Sequence, residues 1–181
     1  MKLLEWKNPD FPNSLRKIPN SPKQIWVDGN INLLTRCSIS VVGSRENTEY
    51  GAKWCEHFVK ELIKYDLVTI SGMAIGIDSV VHKSTLKYGG KTIAVLPSGL
   101  NNIYPECNAN LYKEIIKSGG AVISEYDPIT QADQMKFLER NRLVSGLGLG
   151  LLVIEAAYRS GTSVTAKLAR IQGKDVFCIP R

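Results

Sequence analysis

From residue 38 onward, short apolar runs alternate with stretches whose apolar residues recur every three or four positions. The first run, residues 38–42, is rich in β-branched side chains and ends in Gly43-Ser44-Arg45. Over residues 48–65, Trp54, Cys55, Phe58, Val59, Leu62 and Ile63 recur at helical spacing. That pattern predicts an amphipathic helix lying on a sheet, capped by Thr48 or Asn47. The alternation continues with strands predicted over 67–70, 92–96, 121–124, 149–154 and 175–179. Between them, helices are expected to open near Asp78 and to cover 110–117, 137–147 and 163–172. Gly89-Gly90, Gly119-Gly120 and Gly173 stand where helices end in left-handed backbone. A turn-rich stretch, 97–108, and a polar loop, 125–134, interrupt the series.

These strands read as near-continuous apolar runs, the signature of a parallel sheet buried on both faces. Six strands with five intervening helices predict a doubly wound, mostly parallel, Rossmann-like α/β sheet with right-handed crossovers. Residues 1–37 contain Pro and Asn together with apolar Trp6, Phe11, Leu15, Ile18, Ile25 and Trp26. They are expected to form a short irregular N-terminal extension packed on a core domain of residues 38–181.

Composition narrows the field only a little. The 181 residues are 44% hydrophobic and 22% charged, and no apolar run reaches the ~18 residues that a membrane span requires. The first residues lack a signal-peptide pattern, so the expected place is the cytoplasm, with no membrane partner. A net charge of +6 favours polyanionic partners without excluding an enzyme. Cys37, Cys55, Cys107 and Cys178 form no CxxC pair and are expected to be small buried hydrophobes. No metal or cofactor is expected.

In such a sheet, ligands bind beyond the carboxyl ends of the strands. The first strand delivers Gly43, Ser44 and Arg45, a close backbone approach beside a guanidinium that grips phosphate. The second delivers Ser71, Gly72, Met73, Ala74, Ile75 and Gly76 ahead of a helix, where backbone N–H groups can face an anion. Asp78 is expected to brace that loop or cap the helix, and His82, one turn on, to pair with it. The next candidate is Lys136-Phe137-Leu138-Glu139-Arg140-Asn141-Arg142: three cations and an aromatic, as single-strand recognition uses. Phe137 either stacks on a base or tucks into the core, for which Leu138, Leu143 and Val144 are the better candidates. Arg159, Ser160 and Gly161, with Thr162 and Ser163, precede the last helix and suit an anion or a cap. Glu125 and Glu155 are read as structural, because unbraced carboxylates at that rim would repel phosphate.

Taken in order, these segments resemble the DNA-processing protein A (DprA/Smf) family. The matching pieces are Val41 through Arg45, Ser71 through Asp78 with His82, and Lys91 through Leu96. They continue with Tyr104-Pro105, Ser124-Glu125-Tyr126, Phe137 through Arg142, and Ser160-Gly161 with Thr165-Ala166. The resemblance implies a non-catalytic Rossmann-fold protein that binds single-stranded DNA, often as a homodimer. It also implies a part in natural transformation, protecting incoming DNA and helping to load the RecA recombinase. On that basis Arg45 and the cations around Phe137 would hold phosphates, the 71–76 loop would line the pocket, and Phe137 would pack on a base. The sequence departs from some relatives, which carry basic residues where Ile75 and Glu106 stand here. Relatives usually continue past Pro180 with more of the core domain, and many add a winged-helix module. A rival reading is a nucleotide phosphoribohydrolase of the LOG type, with its P-G-G-x-G-T-x-x-E motif. The comparable stretch, Tyr158 through Thr165, lacks Pro-Gly-Gly and places Thr165 at the glutamate position. A third reading is a small-nucleotide sensor using the same pocket.

Overall fold

The computed structural model describes residues 1–157 and 160–180. Its frame is the expected α/β alternation. Strands β3 (Ser38–Val42), β4 (Val68–Ser71), β5 (Thr92–Val95), β6 (Ala121–Ser124), β7 (Gly150–Val153) and β8 (Asp175–Cys178) are joined by five helices. These are α2 (Glu49–Lys64), α3 (Ile77–Lys87), α4 (Ala109–Lys117), α5 (Gln134–Leu147) and α6 (Gly161–Ile171). Neighbouring strands from β6 across to β8 are all parallel.

Residues 1–37 are not irregular. They form β1 (Lys2–Glu5), a short helix α1 (Asn13–Arg16) and β2 (Gln24–Gly29). Both strands pair antiparallel and extend the sheet to eight strands in the order β1-β2-β6-β5-β4-β3-β7-β8. Strand β2 alternates, with Ile25 and Val27 buried, while Trp26 leans on the α4 side. The apolar N-terminal residues thus complete the main core: Leu4, Phe11, Leu15 and Ile18 pack with Leu143, Val144 and Leu147 of α5. Each such side chain removed from water stabilises the fold by about 1.5–3 kcal/mol.

The opposite face is covered by α2, α3 and α4. Cys55 and Val59 meet Ile77 and Val81 over β3 and β7, and Leu111, Tyr112 and Ile115 pack beside Leu96 and Val122. The remaining cysteines depart from expectation. Cys37, Cys107 and Cys178 are exposed: Cys37 precedes β3, Cys107 sits in the short 3-10 turn Glu106–Asn108, and Cys178 ends the exposed edge strand β8.

Strand β3 is hydrogen-bonded to β4 on one side and to β7 on the other. The chain therefore winds from β3 through β6 in one direction and then crosses to β7 on the other side. Loops diverge at that reversal, which leaves a crevice at the carboxyl ends of β3 and β7.

Candidate nucleic-acid interface

A cleft of about 760 Å³ opens at this reversal point. Gly43, Ser44 and Arg45 form one wall, Gly72 and Ala74 the next, Phe137 and Arg140 the third, and Ser160 and Gly161 the fourth. All four segments read from the sequence thus contribute to one concavity. Arg159 lies outside the described residues, as does Tyr158.

The 71–76 loop is held from below. Asp78 is buried and its Oδ2 accepts the N–H groups of Gly72 (3.1 Å) and Ala74 (3.3 Å), so it braces the loop as expected. Burial raises the Asp78 pKa, opposed first by the nearby Arg140 charge. Gly76 has φ +80°, and a Cβ there would stand 2.3 Å from the Ser44 carbonyl oxygen. Glycine at this point lets the second loop back onto the first and present Arg45. Ile77 N–H also donates to Ser44 O at 3.0 Å. Ser71 is fully buried, and its Oγ donates to Val41 O at 2.7 Å. Ser71 and Gly76 therefore build the wall without lining the cleft.

Four corrections concern side-chain direction. His82 does not pair with Asp78; its Nδ1 meets Thr92 Oγ1 at 2.8 Å beneath the sheet, and burial lowers its pKa to about 3. Arg142 does not reach the cleft. Its guanidinium holds Glu125 in a two-pronged pair at 2.6 and 2.7 Å, and Nε donates to Asn20 O. Lys136 is likewise engaged, paired with Asp133 and lying 5.8 Å over the Tyr126 ring. Leu138 is 44% exposed at the cleft rather than in the core, unlike Leu143 and Val144.

Arg140 lines the cleft but is only 4% exposed. Its Nη1 donates to the carbonyls of Gly72 and Val95, tying α5 to the ends of β4 and β5. Desolvation lowers its pKa to about 10, with Asp78 acting in the opposite sense. A Cβ on Gly72 would sit 2.4 Å from that nitrogen, so only glycine admits the guanidinium here. Arg140 is thus a strut in the floor as well as a cation.

At the mouth, the Arg45 guanidinium lies 5.0 Å over the Phe137 ring, a cation–π contact. Tyr104 meets the same ring edge-on at 5.3 Å. Phe137 is half-buried, so neither a fully core nor a fully exposed position describes it. Sequence reasoning missed Tyr104 as a site residue. It lies within the turn-rich stretch 97–108, and only the fold brings it beside Phe137 of α5. Glu125 and Glu155 are both braced: Arg142 holds the first, while Glu155 accepts from Thr48 N–H (2.9 Å) and Thr48 Oγ1 (2.7 Å).

Fold and cleft together define a Rossmann-like protein with its ligand crevice at the strand-order reversal. The family described as DNA recombination-mediator protein A matches residues 2–181, and the chain belongs to that family. Protein Smf of Escherichia coli is 40% identical over 170 residues, covering 94% of this chain and 46% of that protein. The DNA processing protein DprA of Streptococcus pneumoniae is 41% identical over 170 residues, covering 94% of this chain and 60% of that one. The chain therefore spans about half the length of these curated relatives. The X-ray structure of the S. pneumoniae DprA superposes with a TM-score of 0.94 at 38% identity, covering 99% of this chain and 63% of that one. DNA processing protein A from Helicobacter pylori, described for its unique single-stranded DNA binding mode, superposes with a TM-score of 0.90. Its identity is 29%, covering 100% of this chain and 82% of that one. Among the described residues, no helix is long and apolar enough to cross a membrane.

Proposed function

We propose that this chain is a non-catalytic single-stranded DNA-binding module of DNA processing in natural transformation. The observation that carries the reading is the Arg45 guanidinium stacked over Phe137 at the cleft mouth. It brings a phosphate-binding group and an aromatic ring together, the pairing that single-strand recognition employs. In this reading Arg45 holds a phosphate, Phe137 and Tyr104 offer aromatic faces, and backbone of Gly43, Gly72, Ser160 and Gly161 permits close approach. Lys136 and Arg142 support α5 and its neighbours instead of touching DNA. The H. pylori relative's single-stranded DNA binding supports the ligand class. Thr165, whose Oγ1 donates to Gly161 O, supplies no carboxylate for sugar-bond cleavage. Protection of incoming DNA, RecA loading and homodimer formation in the cytoplasm belong to the same proposal, on family membership.

A competition series with unlabelled oligothymidylates of increasing length, run at two salt concentrations, tests it. Affinity is expected to rise with length and to fall as salt rises, with a slope of about −0.7 for each phosphate neutralised. A mononucleotide that binds as tightly as the long strands, or affinity indifferent to salt, refutes the reading.

A further inference from the structure

The outer side of α6 carries cations that the cleft does not use. Residues 160–174, comprising α6, its cap and the turn after it, contain Lys167, Arg170 and Lys174 and no carboxylate. Lys167 and Arg170, three residues apart, share one side of α6, and Lys174 stands in the turn just beyond it, after Gly173. Lys167 and Arg170 are exposed, whereas Thr162, Thr165 and Ala169 are buried. Among the described residues none of the three cations forms an ion pair. Lys174 donates to Gly148 O at 2.7 Å. Its pKa is lowered by partial burial and then by the charge of Lys17, the exposed residue that ends α1. The Lys17 charge thus disfavours that of Lys174, and among the described residues neither is paired to a carboxylate, an arrangement that an anion relieves.

The row also begins at the cleft. Ser160 and Gly161 line it, and the helix leads away from them. Eleven residues of helix extend ~16 Å. At ~3.4 Å per nucleotide of a stacked strand, that length accommodates about five nucleotides.

We infer that α6 is a second contact for the same strand, so that the sugar-phosphate chain leaving the cleft passes Lys167, Arg170, Lys174 and Lys17. The inference rests on the cleft being a single-stranded DNA site. An acidic protein segment would also match these charges, but continuity with the cleft rim favours the strand.

The test compares the parent chain with K167Q/R170Q and, on a different element, K17Q. Each is titrated with a short oligothymidylate confined to the cleft and a long one that also covers α6. All three positions are exposed, so melting temperatures should match the parent. For K167Q/R170Q, affinity for the long strand should fall on the order of tenfold, and its salt slope should become shallower by about 1.4, two contacts at ~0.7 each. K17Q should show about half that change in slope, and short-strand binding should hold throughout. Equal losses for both lengths, or a long-strand slope unchanged in K167Q/R170Q, overturn the inference. So does a polyglutamate peptide that binds the parent more tightly than the long strand and is released by K167Q/R170Q. A parent that binds neither oligonucleotide refutes the cleft reading. A parent that binds both, matched by its variants, refutes only the role of α6.

Discussion

Arg140 and Arg142 are two residues apart on α5, yet one is a floor strut and the other a clamp on Glu125. Their chemistry was readable from the sequence; their direction was not, because two residues along a helix turn the side chain through more than half a revolution. Arg45 and Phe137 are the pair on which the proposed site turns. Arg45 is exposed and holds no carboxylate among the described residues. Arg45→Ala should therefore weaken oligothymidylate binding while leaving the melting temperature nearly unchanged; titration and thermal denaturation check both. Phe137→Ala should lose about 1–3 kcal/mol of binding through lost stacking. Because Phe137 is only half-buried, its cost to stability should stay below the about 3–5 kcal/mol of a fully buried phenylalanine. A large fall in melting temperature with undiminished affinity would reassign it to packing.

At the level of the elements, helix starts carried the clearest local signal. Thr48 accepts the Gly51 N–H at 3.1 Å as the α2 cap, and it also joins that cap to Glu155 beyond β7. Thr48→Ala should cost about 1 kcal/mol, the ordinary loss of a hydroxyl cap, measured by denaturant unfolding. A cost near zero would mean that Glu155 and the Thr48 backbone suffice. Helix α5 starts at Gln134, three residues before the predicted 137, because Asp133 accepts the Lys136 N–H and caps it earlier. The hydrophobic pattern alone could not place that boundary, since Gln134 and Lys136 are polar. The N-terminal strands were the larger omission. Lys2–Glu5 is only four residues long, and Gln24–Gly29 is bounded by Pro, Asn and Gly. Their strand character comes from pairing, β2 with β6 and β1 with β2, between residues far apart in the chain.

Across the whole molecule, a buried polar seam links α3 to the sheet. Thr69 Oγ1 meets Thr85 and Thr92, and Thr92 Oγ1 meets His82 Nδ1. His82 is fully buried, and its pKa is lowered to about 3. The unfolded chain, with a histidine near ~6.5, takes up a proton that the folded chain refuses. Stability should therefore be complete above ~6.5 and fall as pH drops toward 3, by at most about 1.4 kcal/mol per pH unit from this group. Asp78, whose pKa is raised by burial, contributes in the opposite direction, losing stability as pH rises through its folded pKa. Denaturant unfolding across that window should show the acid limb flattened in His82→Gln relative to the parent. An identical limb would remove His82 as its source. What the order of apolar runs determined was the alternating α/β frame and the four segments that reach one rim, because periodicity and turn residues act locally. What only the tertiary structure decided was which side chains enter the cleft, that Tyr104 joins Phe137, and that residues 1–37 extend the sheet. Those outcomes depend on strand order and packing between distant segments, which no local pattern encodes.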